Sequence, residues 1–477
     1  MPTATKLVRG LSLSDSILLL AGGIIGSGIF LTAQEVASNT RSPGLFLAIW
    51  VIGVAVTLLA CFAFAELGGM FPHAGGQYVY MREAYGDAAG FLYGWMYFTV
   101  SATGTMAALG VGFATYLGKT FPGLDAERAV ASIRQFHIGY GYAAFALGPF
   151  PITRGHLIAL AAIALQTAIN VFGVKKGAVL QNVATWAKFG AIGVFVIGGL
   201  ALGHGSWDHF HHAIPAAPGP GPLLAGLGVA MIAVFWAYDG WVYITFVAGE
   251  VKDPQRNLPR ALIWGLLLVG AVYICINAVY LYALPMSEIA AHEAVAQTAA
   301  VSMFSGRIAP WLSFMVALSC FGAMAPCLMS GARVYYAMAE DGVFFRTLAK
   351  VHPRWHTPVM SLVLQAVWAS VLALSGKYDE LFTYVMFMMV LSYVLTVVGV
   401  FVLRRKQPDT PRPYRCTGYP WLPAIYIVLG SAWAINAAIV KRKETLIGTL
   451  IVLAGVPFYL YWKRLKKTAA PATEPIP

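Results

Sequence analysis

Two stretches of the sequence combine a long apolar run with helix-breaking residues: AGGIIGSGIF at 21–30 and FWAYDGWVYITFVAGE at 235–250. The first stretch places four glycines within one helical length, and each glycine costs an α-helix up to about 1 kcal/mol relative to alanine. The second holds the turn-forming pair Asp239 and Gly240 in the middle of its apolar run. We predict that both segments are membrane-spanning helices that unwind at these points.

The rest of the chain is equally apolar. Of the 477 residues, 59% are hydrophobic and 11% are charged, and the mean hydropathy is +0.70. A helix needs about 17 to 25 apolar residues to cross the bilayer core, and stretches of about that length or longer recur along the chain. We therefore predict an all-α membrane protein with twelve spans, numbered 1 to 12 in chain order: 14–37, 43–70, 88–117, 156–172, 180–202, 223–251, 261–284, 308–339, 358–374, 381–403, 421–440 and 446–462.

The formal net charge of +12 is placed in a way that indicates a membrane protein and not a nucleic-acid partner. The loops on the same side as the N-terminus hold roughly twice as many Lys and Arg residues as the loops on the other side, which is the positive-inside pattern. We predict a multi-pass protein of the plasma membrane, the inner membrane of a prokaryote, with both termini in the cytoplasm. Its surroundings are the lipid bilayer, and we expect no nucleic acid.

The two predicted breaks lie five spans apart, in spans 1 and 6. Glycine in a membrane helix often permits close helix packing only, but matching breaks in two five-helix halves are typical of an inverted-repeat transporter with its site near the bilayer midplane. We predict one transmembrane domain over 1–477. Its parts are a first repeat at 11–203, a second repeat at 221–405, and spans 11 and 12 at 418–463.

Helix breaks provide the groups that a zwitterionic amino acid needs. The backbone amides that follow the span 1 break are predicted to bind the substrate carboxylate; they belong to Ser27, Gly28 and Ile29. The carbonyls that precede the two breaks are predicted to accept from the substrate ammonium; they belong to Ile24, Ile25, Trp236, Ala237 and Tyr238.

Several separated motifs carry a family resemblance over roughly 11–405. They are GIIGSGIF at 23–30, INVFGVKKGAVLQNVATWAK at 169–188, AYDGW at 237–241, GEVKDPQRNLPRAL at 249–262 and GARVYYAMAEDG at 331–342. The chain resembles the amino acid, polyamine and organocation transporter superfamily, and within it the L-type amino acid transporters and their bacterial relatives. The resemblance implies a five-plus-five inverted repeat with spans 11 and 12 outside it, and sodium-independent exchange of amino acids.

The resemblance also implies roles for residues at both breaks. Gly26, Ser27 and Gly28 match the turn that binds the substrate carboxylate, and Trp236 stands where the family has an aromatic gate. Asp239 stands where animal members often have glycine, and the sequence leaves open whether its side chain or its carbonyl contributes.

Lys188 is the one basic residue that the sequence places well inside a span. A charge at the bilayer centre costs at least about 2.5 to 3.5 kcal/mol, so such a residue indicates a functional site, although a long stem also allows snorkelling. By resemblance, its ammonium replaces a sodium ion. Span 8 has no Ser or Thr at 322–329, which also disfavours a sodium site. Proton coupling through Lys188 stays open.

Other polar groups allow a functional or a purely structural interpretation. Acidic and basic residues at span ends form either a gate of ion pairs or solvated helix ends: Glu66, Glu250, Arg333, Glu340 and Asp341. The histidine-rich segment HGSWDHFHH at 204–212 is read as a solvated loop more readily than as a zinc site. We predict no metal and no cofactor.

The favoured function is exchange of small neutral L-amino acids, because the bulky Trp236 leaves little room. The first alternative is a proton-coupled symporter of the same fold. A channel or an intramembrane enzyme is a distant alternative, since the spans offer no paired acids and no nucleophile with a base. The loop at 118–155 has no cysteine, so we expect no disulfide-linked glycoprotein heavy chain.

Overall fold

The computed structural model describes residues 7–26, 28–133, 136–138, 145–147, 150–215, 220–304, 309–375, 378–440 and 442–469. Within these residues, nine helices are long and apolar enough to cross a bilayer, and three shorter apolar helices stand at predicted spans 6, 9 and 11. The prediction of twelve spans in an all-α membrane fold is therefore confirmed. The residue limits of the two repeats remain a prediction.

The two broken spans are each divided into two helices. Span 1 consists of span 1a (Leu13–Ile24) and span 1b (Gly28–Leu31), and span 6 consists of span 6a (Pro220–Tyr238) and span 6b (Tyr243–Phe246). The other spans have these bounds: span 2 Pro43–Met70, span 3 Asp87–Thr120 with a π-helical turn at Tyr97–Ser101, span 4 Arg154–Val171, span 5 Val174–Leu202, span 7 Pro254–Ala283, span 8 Ala309–Glu340, span 9 Val359–Ser375, span 10 Tyr378–Lys406, span 11 Trp421–Val440, and span 12 Arg442–Leu453 with Gly455–Ala469.

Shorter elements join the spans. The α-helices among them are Ala33–Thr40, Gln77–Tyr85, Met286–Ala291 and Val295–Met303, and the 3₁₀ turns are Pro122–Leu124, Trp207–Phe210, Ala248–Glu250 and Arg346–Ala349. Four strands lie between spans 3 and 4: β1 Ala129–Ile133, β2 Phe136–Ile138, β3 Phe145–Leu147 and β4 Phe150–Thr153. The antiparallel pair β1 and β4 sets Ile133 opposite Phe150, and the pair β2 and β3 sets Phe136 opposite Leu147.

Local sequence signals set the starts of several spans. Ser12 and Asp15 form a capping box at the start of span 1a, in which each side chain bonds the backbone amide of the other. Pro43 and Pro254 occupy the first turns of spans 2 and 7, where the missing amide costs no hydrogen bond.

Burial separates central spans from lipid-facing ones. In the most apolar window of each helix, 78% of residues are buried in span 3 and 72% in span 8, against 28% in span 5 and 17% in span 12. The most extensive helix contacts join span 3 to span 8 and span 2 to span 7. The breaks in spans 1 and 6 also lie in the interior, since Ile25 and Ala237 are fully buried.

The segment before span 1 folds back onto the protein. The amides of Gly10 and Leu11 donate to the carbonyl of Glu250 at 2.8 and 2.9 Å, and the amide of Lys252 donates to the carbonyl of Leu11 at 2.9 Å. We call the membrane face that holds this segment the N-terminal face. The short parallel pairing fixes the start of span 1 to the end of span 6 on that face.

Candidate substrate site at the two helix breaks

Span 1 unwinds at Ile25 and Gly26. Ile25 has a non-helical backbone (φ −74°, ψ 78°), and the amide of Gly26 donates to the carbonyl of Ile24 at 2.7 Å in a tight turn. Gly28 then begins span 1b. Ser27 lies outside the described residues, so its predicted donation to a carboxylate stays a prediction.

Span 6 unwinds at Asp239 and Gly240. The amide of Asp239 donates to the carbonyl of Trp236 at 3.0 Å, which closes the last turn of span 6a. Gly240 has φ +99°, a left-handed backbone that glycine adopts without strain. The unwound backbone is protected from lipid by the surrounding helices, as such backbone requires at membrane depth.

The two breaks lie directly against each other. A β-carbon at Gly240 would stand 2.9 Å from the backbone carbonyl of Gly23, and one at Gly28 would stand 2.8 Å from the α-carbon of Ala237. Glycine at these positions therefore allows two backbones to approach more closely than side chains permit. Backbone amide and carbonyl groups of both helices therefore meet in one small volume.

Lys188 anchors the end of span 1a. Its Nζ donates to the carbonyls of Gly22 at 3.0 Å and Ile25 at 2.7 Å, and the residue is buried, with 4% of its surface exposed. The cation thus faces the negative end of span 1a, which favours it electrostatically. Snorkelling toward a headgroup is excluded in this structure.

Lys188 belongs to a polar stripe that the sequence analysis missed. The Asn182 side chain donates to Asp15 Oδ1 at 2.6 Å, and the Thr185 hydroxyl, which donates to the carbonyl of Gln181 at 2.8 Å, lies 3.3 Å from the carbonyl oxygen of Leu18. Residues three apart share one face of a helix. The polar residues at 182, 185 and 188, spaced three apart in an apolar span, therefore predict a face of span 5 that packs against protein, and this face contacts span 1.

Ser319 of span 8 was also missed. Its hydroxyl donates to the carbonyl of Ile25 at 3.0 Å, within 3.4 Å of the carbonyl of Gly26. Ser319 lies one helical turn before the stretch 322–329, which has no Ser or Thr. The interpretation that span 8 offers no hydroxyl at the break is therefore wrong. Span 8 does supply a hydroxyl at the break, so the case against a sodium ion rests on the Lys188 ammonium.

Tyr273 of span 7 connects the two breaks. Its hydroxyl lies 3.0 Å from the carbonyl oxygen of Ile24 and 2.9 Å from that of Ala237. The carbonyl oxygen of Ile24 also accepts from the amide of Gly26. A carbonyl oxygen has two lone pairs, so that of Ala237 can accept a second hydrogen bond. The predicted contact of these carbonyls with a substrate ammonium remains a prediction.

Asp239 is held by a neighbour on span 10. The Tyr393 hydroxyl donates to Asp239 Oδ1 at 2.7 Å, and both residues are buried. The Tyr238 hydroxyl donates away from the break, to the carbonyl of Trp50 at 3.1 Å. Trp236 lies beside the break in span 1, with its ring 3.3 Å from the β-carbon position of Gly28.

Ion pairs close the N-terminal face, but only one of them joins two of the predicted gate residues. Arg333 Nε donates to Glu250 Oε1 at 2.7 Å, and both side chains are fully buried. The other three acids have partners that the sequence analysis did not assign: Glu66 pairs with Arg404 and Arg412, Asp341 with Arg82 and Tyr78, and Glu340 with Tyr336.

The histidine-rich segment contacts backbone. His212 Nδ1 lies 2.8 Å from the carbonyl of Asp208, and His209 Nδ1 lies 3.2 Å from the carbonyls of Leu281 and Tyr282. In the part of the chain that the structure describes, no three His, Cys, Asp or Glu residues are grouped to hold a metal ion.

Comparison with known proteins agrees with this architecture. The chain matches the amino acid permease family over residues 11–460. It is 30% identical over 464 residues to the serine/threonine exchanger SteT of Bacillus subtilis, covering 96% of this chain and 98% of that protein. It is 29% identical over 472 residues to the b(0,+)-type amino acid transporter 1 of Homo sapiens, covering 98% and 90%. It is 28% identical over 477 residues to the Asc-type amino acid transporter 1 of Mus musculus, covering 98% and 84%.

The match covers nearly the whole chain, including both breaks, Lys188 and the ion pairs of the N-terminal face. The chain therefore belongs to the amino acid permease family of the amino acid, polyamine and organocation superfamily, and it is a membrane transporter, not an enzyme.

Proposed function

We propose that this protein exchanges small neutral L-amino acids across the membrane without sodium, by alternating access to a site at the two helix breaks. The observation that carries the proposal is the meeting of the two unwound segments, at Gly23 with Gly240 and at Gly28 with Ala237. That arrangement supplies donors for a carboxylate and acceptors for an ammonium in one place.

The α-amino and α-carboxyl groups of the substrate are the common recognition elements in this proposal. The amides at the start of span 1b receive the carboxylate, and the carbonyls of Ala237 and Tyr238 are acceptors for the ammonium. Direct hydrogen bonds and the helix ends together need to supply about 4 to 8 kcal/mol for millimolar to micromolar affinity. Tighter binding would slow release.

Sodium independence follows from Lys188. Its ammonium already neutralises the carbonyls of Gly22 and Ile25, so a second cation there would meet strong repulsion. The proposed preference for small side chains has two supports. The bulky Trp236 lies beside the break in span 1, and the chain is similar to a protein named as a serine/threonine exchanger.

For orientation, we propose that the N-terminal face is cytoplasmic, because the basic residues of the loops concentrate there.

We also propose that the chain works without a disulfide-linked glycoprotein partner, since its loop at 118–155 contains no cysteine. Transport by the purified single chain tests the second point directly. Activity that appears only after adding a second membrane protein would contradict it.

Uptake of radiolabelled serine into proteoliposomes tests the transport mode. We expect unlabelled serine inside the vesicles to stimulate uptake several-fold, and replacement of sodium by potassium or choline to have no effect. Strong stimulation by an inward proton gradient, with none by internal serine, would favour the proton-coupled symporter. A competition series with alanine, serine, threonine, leucine and tryptophan tests side-chain size, and preference for the last two would refute the assignment.

A further inference from the structure

A small cavity lies beside Lys188. It measures about 20 Å³, taken as the space open to the centre of a water-sized sphere. Its polar lining comes from Lys188, Ser319 and Tyr280, and its apolar lining includes Phe30, Ile192 and Phe195. A cavity needs at least about 10 to 15 Å³ by this measure to hold one water molecule.

The groups around the cavity have unused hydrogen-bonding capacity. A lysine ammonium has three donors, and two of those of Lys188 are taken by the carbonyls of Gly22 and Ile25. The Tyr280 side chain is fully buried, and its hydroxyl has no hydrogen-bond partner among the described residues. A buried hydroxyl without a partner costs roughly 1 to 3 kcal/mol.

Ser319 is the third polar residue that lines the cavity. Its hydroxyl hydrogen points to the carbonyl of Ile25, which leaves its oxygen lone pairs as acceptors. The cavity is thus lined by an ammonium, a hydroxyl that needs a partner and a hydroxyl oxygen that can accept. Buried waters in proteins make two to four such bonds.

We propose that this cavity is a binding site for one ordered water molecule that solvates the Lys188 ammonium and joins it to Tyr280 and Ser319. The water accepts from Lys188 Nζ and from the Tyr280 hydroxyl, and it donates to Ser319 Oγ. It supplies the third hydrogen bond of the ammonium without adding charge.

Shape and charge argue against other occupants. The neighbouring cleft that faces the bilayer shares Phe195 and Met315 with the cavity and is lined by apolar and aromatic side chains such as Val194, Phe304 and Trp311. A water therefore has no hydrogen-bonded route into the lipid. A cation would be repelled by Lys188, and a halide is the remaining competitor.

X-ray radiolysis with mass spectrometry tests the site, because hydroxyl radicals formed from a bound water oxidise the nearest reactive side chain even when it is buried. Met315 lines the cavity. Met315 is half-buried, so the readout in the full-length protein in nanodiscs is the change in its oxidation between variants. The variant Tyr280→Phe should lower Met315 oxidation several-fold, and the matched variant Tyr282→Phe should leave it unchanged.

A high-resolution structure of the same two variants and of the wild type completes the test. The expected result is a density peak within hydrogen-bond distance of Lys188, Tyr280 and Ser319, which is lost in Tyr280→Phe. Met315 oxidation that is equal in the wild type and in Tyr280→Phe, or an unchanged peak in Tyr280→Phe, would overturn the proposal. So would an anomalous bromide signal at the site in crystals grown in bromide. None of these readouts depends on which substrate is carried.

Discussion

At the scale of single residues, the break in span 1 is held by side chains from three other helices. Lys188 of span 5 and Ser319 of span 8 both bond the carbonyl of Ile25, and Tyr273 of span 7 bonds that of Ile24. Unwound backbone inside a membrane needs such partners. These side chains therefore both stabilise the break and determine which of its backbone groups stay available to a substrate.

Replacing Lys188 by alanine removes two charge-assisted hydrogen bonds from the end of span 1a. Because each such bond contributes about 1.5 to 3 kcal/mol, we expect exchange of serine in proteoliposomes to fall by about tenfold or more. The matched control is Lys350→Ala, an exposed lysine in the loop after span 8. Equal activity of the two variants would show that Lys188 has no role in transport.

Replacing Tyr273 by phenylalanine removes the hydroxyl that lies between the carbonyls of Ile24 and Ala237. A net loss of about 0.5 to 1.5 kcal/mol per bond corresponds to a roughly threefold to tenfold change. We expect it chiefly as a higher KM for amino acids of any side chain, because the carbonyl of Ala237 is a proposed acceptor for the common ammonium group. The exposed Tyr461 provides the control variant Tyr461→Phe, and an unchanged KM in Tyr273→Phe would contradict this role.

Sequence patterns identified Lys188 because a charge in an apolar run is conspicuous. They did not identify Ser319, Tyr273 or Tyr393, because hydroxyls are common in membrane helices and the chain distance to their partners is large. Tyr273 is 249 residues from Ile24 along the chain. Which face of a helix such a residue occupies depends on how the helices pack, and a single sequence carries little information about that.

At the scale of secondary-structure elements, the breaks depend on glycine for two different reasons. Gly240 needs its left-handed φ of +99°, whereas Gly28 needs only the absence of a side chain next to Ala237. Both requirements concern the backbone: one is its conformation at Gly240, and the other is the close approach of a second backbone at Gly28. The sequence signal for them was correspondingly strong, since few other residues satisfy either demand.

Alanine at Gly240 is expected to destabilise the protein. The left-handed backbone costs a non-glycine residue about 1 to 2 kcal/mol, and the added carbon would also meet the carbonyl of Gly23. We expect a lower Tm in detergent and reduced exchange. Gly190→Ala is the control, because no atom beyond its own helix lies within 4 Å of its β-carbon position; an equal Tm for the two variants would contradict the strain argument.

The linker between spans 10 and 11 is fixed to span 2 through Glu66. This buried carboxylate accepts from the Arg404 guanidinium at 2.6 Å and from the amide of Cys416 at 2.7 Å. Burial raises the pKa of the Cys416 thiol to about 12, and the Glu66 carboxylate adds to the shift. The thiol is therefore protonated at neutral pH and a poor nucleophile.

Glu66→Gln should release this linker and expose Cys416. We expect alkylation of Cys416 by a water-soluble maleimide at pH 7, followed by peptide mass spectrometry, to be slow in the wild type and several-fold faster in the variant. Asp409→Asn changes an exposed acid of the same linker and should not alter the rate. Fast wild-type labelling would show that the linker does not stay attached.

At the scale of the whole molecule, the N-terminal face is closed by contacts between distant parts of the chain. The backbone pairing of Leu11 with Val251 and the buried pair of Arg333 with Glu250 join spans 1, 6 and 8 on that face. We expect these contacts to separate when a path opens from the breaks to this face.

Glu250→Gln leaves the Arg333 guanidinium buried without its counter-charge. Breaking a buried ion pair from one side costs about 3 to 5 kcal/mol, so we expect a clearly lower Tm. The partly exposed pair of Arg82 with Asp341 provides the comparison, and Arg82→Ala should cost no more than about 1 kcal/mol. Neutralising both partners, as in Glu250→Gln with Arg333→Met, should recover part of the loss. A Tm for Glu250→Gln equal to that of Arg82→Ala would contradict this account.

Hydropathy was sufficient to predict the twelve spans, because lipid requires every exposed backbone group to be bonded within a helix. It could not predict strands β1 to β4 or the π-helical turn at Tyr97–Ser101. The strands lie in a loop outside the apolar runs, and the turn lies inside an apolar span, where Tyr97 contacts Ser330 of span 8. Hydropathy therefore gives no indication of the strands in the loop or of the π-helical turn.

The attachment of Lys188 to span 5 has a consequence for the energetics of a cell. A diffusible cation at the end of span 1a would enter from one compartment and leave into the other, and its electrochemical gradient would drive accumulation. A cation that is covalently part of the chain never leaves, so it contributes no driving force. In the exchange that we propose, the concentrations of amino acids on the two sides then set the direction of net movement, and the total pool is redistributed in composition but not enlarged.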